Sequence, residues 1–261
     1  MPRPEARLAP VLALVACATS GGGAPGVHAA QPAPTPAERW AALVADADRP
    51  DQDRALDAGR KPAEMLAFCG VRAGMRAADL GAGRGYTTEL LARAVGPTGT
   101  VFSQNPPRFV PMVGDDWAKR LARPALARVI RVERDFDGPL PPEAKGLDLV
   151  VMHAIYHDTI WLGTDRAAMN RAILDALAPG GAFVVIDSSA VAGAGDGVAR
   201  ELHRVDEARV REEVTAAGFR LAAESDAWRN PQDARDWNAS PGAAGERRGT
   251  SDRFALRFVK P

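Results

Sequence analysis

The chain has 261 residues, 46% of them hydrophobic and 25% charged, which is enough apolar material for one sizeable globular domain. Its 33 basic and 33 acidic residues cancel, so no net field draws it to nucleic acid or to an anionic membrane surface. The two cysteines, Cys17 and Cys69, fit no zinc-type Cys/His spacing, and Cys69 in its apolar setting reads as a buried small hydrophobe.

At the start of the chain, Arg3 and Arg7 precede an apolar run from Leu8 to Ala16. The run suits the core of a signal peptide and is too short to stay in a bilayer as a spanning helix. It ends in Leu14-Val15-Ala16-Cys17, which resembles a bacterial lipobox, where the cysteine becomes the lipidated first residue. Residues 1–17 therefore read as a lipoprotein-type signal peptide. Residues 18–36, Gly/Ser-rich and then Pro-rich, read as a tether, and 37–261 as one domain. This places the domain in the cell envelope, facing the periplasm and held to the membrane only through Cys17. An ordinary secretory signal cut near Ala29 or Ala30 and a cytoplasmic protein with an overlong start are the two alternatives.

Pro36 to Ala47 has helical spacing, with Trp40, Leu43 and Val44 on one face. Asp51 to Phe68 reads as a second helix or a pair, broken near Arg60–Lys61 because Pro62 fits poorly inside a helix. After Gly74, strands and helices alternate. The strands are Met75–Leu80, Val101–Gln104, Ala127–Arg134, Leu147–His153 and Gly181–Ile186. The helices are Thr87–Val95, Trp117–Leu121, Asp165–Leu177 and Val205–Ala217. Such alternation predicts an α/β fold with a mostly parallel sheet and helices on both faces. Arg220–Glu224 and Arg253–Val259 add an antiparallel C-terminal edge pair, for seven strands in all. Between them, the polar stretch around Trp228 and Trp237, running to Gly249, reads as a mobile loop, either a lid or an insertion.

The stretch Asp79-Leu80-Gly81-Ala82-Gly83-Arg84-Gly85-Tyr86 joins the first of these strands to a helix. Its glycines permit a tight turn and a close approach of backbone to ligand, and the helix start offers free N–H groups. An acid before the loop and Gly-x-Gly spacing within it resemble motif I of the class I S-adenosylmethionine-dependent methyltransferases, which are Rossmann-like. Asp135 after the third strand and Leu177-Ala178-Pro179-Gly180-Gly181 before the fifth match further features of that family, in its chain order. The resemblance implies S-adenosylmethionine as cofactor. It places Asp79, Gly81, Ala82, Gly83, Gly85 and Tyr86 around the methionine part, Asp135 near the adenine amino group and His153 on the cofactor side. The family's ribose-binding acid is replaced by Gln104 or Asn105, whose amides bond a hydroxyl without a carboxylate's charge. A nicotinamide dinucleotide fits less well, because both the glycine spacing and that missing acid depart from its fingerprint.

The fourth strand runs into His153-Ala154-Ile155-Tyr156-His157-Asp158, and strand ends of this kind form the ligand crevice of open α/β sheets. Together with Asp187 and the stretch Leu202-His203-Arg204-Val205-Asp206, these pieces resemble a group of predicted exported bacterial methyltransferases. The likeness covers much of Arg54 to Lys260. Methyl transfer to a hydroxyl or amine requires loss of a proton, and histidine is the usual base. His157, oriented by Asp158 or another carboxylate, is the first candidate; His203 and then His153 follow. The plainer reading has His153 ending its strand and His157–Asp158 capping the next helix. A divalent ion among His153, His157, Asp158, Asp187 and His203 has no local ligand motif behind it and is not adopted. Trp40, Trp117 and Trp161 read as core more readily than as a substrate pocket. The charge balance favours a small-molecule acceptor over nucleic acid. Because S-adenosylmethionine is made in the cytoplasm, a non-catalytic, envelope-anchored binding protein with the same fold is the second hypothesis.

Overall fold

The computed structural model describes Met1, Pro2 and residues 36–261. The signal peptide and tether read from residues 1–36 fall almost wholly outside them. Among the described residues no helix is long and apolar enough to cross a membrane.

Three helices come first: α1 (Pro36–Val44), α2 (Asp51–Arg60) and α3 (Pro62–Cys69). Lys61, with φ 46°, breaks the chain between α2 and α3, and Pro62 begins α3, where its missing N–H costs nothing. Then follow β1 (Arg76–Leu80), α4 (Tyr86–Val95), β2 (Thr100–Asn105), α5 (Val110–Leu121) and β3 (Val129–Glu133). Next are β4 (Leu147–His153), α6 (Tyr156–Trp161), α7 (Arg166–Ala176) and β5 (Leu177–Ser188). The chain ends with α8 (Gly197–Leu202), α9 (Glu207–Ala216), β6 (Arg220–Glu224) and β7 (Arg253–Val259).

The seven strands form one sheet in the order β3-β2-β1-β4-β5-β7-β6. The first five are parallel to their neighbours, and β7 runs antiparallel to both β5 and β6. The order reverses between β1 and β4, which opens a crevice at their carboxyl ends. Alternate strand residues point to opposite faces. Leu80, Phe102, Val150 and Val185 pack against α6, α7 and α9. Ala77, Val101, Val151 and Val184 pack against α1, α3 and α4. Cys69 is buried in this second core, and burial pushes its thiol up to about 12.

Four details go beyond the sequence reading. The helix expected at Trp117–Leu121 begins at Val110, and α6 and α8, each six residues, carry no periodic signal of their own. The Pro179-Gly180 turn lies inside β5 as an irregularity, with Gly180 at φ 77° and a register shift opposite Leu147–Leu149. The polar stretch after β6 is also pinned rather than loose. Arg204, fully buried, donates to the Asp233 carboxylate at 2.9 Å and to the Ser189 and Trp237 carbonyls. Asp233 in turn accepts from Trp237 Nε1 and from the Asp252 N–H. Removing one partner of a buried pair leaves the other charge uncompensated. Asp233→Ala should therefore cost about 3–5 kcal/mol, read as a lower urea midpoint at unchanged slope.

Candidate active site

The turn from β1 to α4 needs glycine at three places: Gly81, Gly83 and Gly85 have φ of 65°, 55° and 84°. Space is short as well, since a Cβ on Gly81 would lie 2.3 Å from Ile155 and one on Gly85 2.8 Å from Arg120. Asp79, at the end of β1, is buried and accepts from Thr88 Oγ1 at 2.6 Å and from the Thr88 N–H in the first turn of α4. Thr88 contacts Ser103 Oγ, to which Trp117 Nε1 donates. Burial pushes the Asp79 pKa up to about 7, against the lowering effect of Thr88 and Arg60.

Gln104 and Asn105 bond the glycine loop itself. Gln104 Oε1 accepts from the Gly81 N–H at 2.8 Å, and its amide donates to the Arg134 carbonyl. Asn105 Oδ1 accepts from the Gly83 N–H at 2.8 Å, and Nδ2 returns a bond to the Gly83 carbonyl. Both amides are buried and lock the glycine loop. Tyr86 is likewise engaged: its hydroxyl donates to Asp57 at 2.6 Å, and Arg60 covers its ring at 4.5 Å. Asp135 stands exposed beyond β3.

His153 ends β4 with both ring nitrogens buried and without partners. Burial pushes its pKa well below the usual value, and the charges of Arg60 and Arg253 add to the shift. Arg60 has no hydrogen bond or ion pair from its guanidinium among the described residues. Burial also lowers both arginines, Arg253 to about 10. The segment after β6 and the start of β7 are tied to the α2–α3 turn beside these arginines, as a roof over it. Trp228 Nε1 donates to the Arg60 carbonyl, Arg253 to that of Gly59 and Lys61 to that of Ala227. A Cβ on Gly59 would lie 2.6 Å from Gly249 Cα, so the two backbones touch.

On the other side of His153 lies the histidine–carboxylate cluster. His157 Nδ1 donates to Asp187 Oδ1 at 2.8 Å, and its N–H to Oδ2 at 3.0 Å. Its Nε2 lies 3.2 Å from both His203 Nδ1 and Asp158 Oδ1. Burial opposes charge on His157, yet Asp187 and Asp158 together push its pKa up to about 10. Asp158 is held well below the usual carboxylate range by His157 and His203, despite its burial. The orienting carboxylate on Nδ1 is Asp187, with Asp158 on the opposite edge of the ring.

A family model described as protein-L-isoaspartate (D-aspartate) O-methyltransferase matches residues 49–191, more than half of the chain. The chain belongs to this methyltransferase family. Its cofactor is S-adenosylmethionine, and its fold is shared with other enzymes that use it. One is an S-adenosylmethionine-dependent methyltransferase from Aquifex aeolicus, at 15% identity and TM-score 0.57, over 86% of this chain and 98% of that one. A glycopeptide N-methyltransferase solved with sinefungin is 16% identical, at TM-score 0.53 over 78% and 87%. Aeropyrum pernix fibrillarin, solved with S-adenosylmethionine, is 15% identical, at TM-score 0.50 over 78% and 76%. No curated protein matches the chain in sequence.

Within this methyltransferase the structure brings Asp79, Gly81, Ala82, Gly83 and Gly85 to one turn. It gathers His157, Asp158, Asp187 and His203 into one cluster and leaves His153 with the arginines. Sequence reasoning missed Arg60, Arg253 and the roof, whose only local signals are Gly59 beside Arg60 and the Asp252-Arg253 pair. The pKa of Asp79 carries a pH prediction. Its folded value lies above its unfolded one, so the stability it contributes is complete below the ordinary carboxylate range and lost as pH rises to about 7. Asp79→Asn should thus gain about 3 kcal/mol on the parent between pH 5 and pH 8, measured by denaturation at both values.

Proposed function

We propose that this methyltransferase acts on a small-molecule acceptor held at the carboxyl ends of β4 and β5. The burial of His157 and Asp187 at the ends of these strands carries the reading, because a buried polar cluster suits a small ligand better than a folded macromolecule. The balanced charge of the chain supports it as well.

On this reading Asp79, Gly81, Ala82, Gly83, Gly85 and Tyr86 form the wall beside the methionine part of the cofactor, and Asp135 lies at the adenine side. The orphaned nitrogens of His153 and the unpaired Arg60 fit a carboxylate, which the cofactor's methionine end provides. Bound S-adenosylmethionine supplies a methyl on a sulfonium, a good leaving group, so the chain's own task is positioning. His157, Asp158 and His203 face the acceptor and orient it. Gln104 and Asn105 act indirectly, by holding the loop in shape.

Calorimetry with S-adenosylmethionine and with methylthioadenosine, which lacks the carboxylate, tests this assignment. Arg60→Ala should weaken S-adenosylmethionine about tenfold or more and leave methylthioadenosine unchanged. Equal losses for both would remove Arg60 from the carboxylate, and no binding to the parent at millimolar ligand would sink the cofactor geometry. We also propose, from Leu14 to Cys17, that the domain is an envelope lipoprotein. Acyl labelling should mark the parent and not Cys17→Ala; an unlabelled parent ends that reading.

A further inference from the structure

We propose that His157, Asp158 and His203 bind a divalent transition-metal ion, with Asp187 aiming His157 at it. The three donor atoms form a nearly regular triangle. His157 Nε2 is 3.2 Å from His203 Nδ1 and 3.2 Å from Asp158 Oδ1, and His203 Nδ1 is 3.5 Å from the same oxygen. A tetrahedral ion with bonds of about 2.0–2.1 Å holds its ligands roughly 3.3 Å apart. The triangle has that size without any rearrangement. The imidazole planes meet at 73° rather than stacking, and the three ligand atoms all lie within 4.8 Å of one another.

The donor chemistry narrows the class of ion. Two imidazole nitrogens and one carboxylate oxygen suit zinc and its first-row neighbours, whereas magnesium and calcium prefer oxygen throughout. Support behind the ligands is complete. Asp187 accepts the Nδ1–H of His157, which fixes the ring so that the ion takes Nε2 in place of a proton. The second Asp187 oxygen accepts the His157 N–H and holds the carboxylate in place. Trp161 Nε1 donates to Asp158 Oδ1 at 2.8 Å. His203 sits at φ 50°, a left-handed conformation costly for a residue with a Cβ. Its neighbour Arg204 is anchored to Asp233, which holds the imidazole toward His157.

One side of the triangle is open. The His203 side chain is 27% exposed, against 7% for His157, so a water or another oxygen ligand reaches the remaining position from that side. The ion ties the first turn of α6 to the end of α8, two helices too short to be stable by themselves. Ion binding uses the side chains that the proposed function sets against the acceptor, but it does not depend on that reading.

The full chain, stripped with a chelator and without S-adenosylmethionine, is titrated with Zn²⁺ by calorimetry and with Co²⁺ by visible absorption. One equivalent should bind, with the visible bands of low-coordinate Co²⁺ and a melting temperature several degrees higher. His203→Ala and Asp158→Ala should each weaken binding more than about 100-fold, beyond the 10–100-fold expected of the supporting Asp187→Asn. His153→Ala should leave it unchanged. His203 lies at the rim, so circular dichroism of its variant separates loss of a ligand from loss of the fold. Absence of a stoichiometric site in the parent overturns the proposal, as does undiminished binding in folded His203→Ala. Neither result touches cofactor binding, which is measured separately.

Discussion

The ligand edge of the sheet depends on one carboxylate, that of Asp79, being held out of water at the end of β1. Raising its pKa to about 7 costs about 4 kcal/mol once it is ionised. The cost is tolerated because both donors of Thr88 converge on it, joining the strand end to the first turn of α4. Ser103 and Trp117 extend this chain to β2 and α5. With Gln104 and Asn105 bonding the Gly81 and Gly83 N–H groups, the turn is rigid before any ligand arrives. Little ordering entropy then remains to be lost on binding.

Buried ion pairs set the helices around that turn. Arg120 bridges Asp53 of α2 and Glu89 of α4 at 2.6 Å each, and Arg49 pairs with Asp57, which also receives the Tyr86 hydroxyl. Such pairs add little net stability once desolvation is counted, but breaking one strands a charge. Their effect is on register: α2 and α5 can sit in only one way over the loop. Gly85 shows the consequence, since the Arg120 side chain occupies the space of its missing Cβ.

Much of the fold was legible because it rests on local chemistry. Apolar runs of strand length, the break near Arg60–Lys61 and the antiparallel end pair each follow from residues near one another in the chain. The glycine loop was legible for the same reason, since φ above zero at Gly81, Gly83 and Gly85 restricts residue type. The helices α6 and α8 were not, because six residues complete too little of a helical period. Nor were the tasks of Gln104 and Asn105. An amide oxygen at a strand end accepts from a backbone N–H as readily as from a ribose hydroxyl, and only the loop's return path brings those N–H groups within reach. Arg60 was invisible because its neighbours, His153 and Arg253, lie far away in sequence. The His157 cluster was half legible: His157, Asp158 and His203 do come together, but Asp187 had to be placed by the sheet, where the ends of β4 and β5 meet.

The crevice divides by sign at the turn after β4. On the side of β1, Arg60 and Arg253 supply positive charge beside the buried His153, and among the described residues no carboxylate pairs with the Arg60 guanidinium. On the side of β5, Asp187 and Asp158 supply two carboxylates around His157, so that half draws a cation to its centre. Ala154, at φ 57°, makes the sharp turn that sends His153 to one half and His157 to the other. A ligand with a carboxylate at one end and a positive centre further along meets complementary charge at both ends in one orientation only. Reversing it would set like charges together in a region poor in water, where a few ångströms of Coulomb repulsion outweigh any gain in contact area. The charge pattern thus favours one direction for any such ligand, and the glycine loop sets a tight backbone turn beside it.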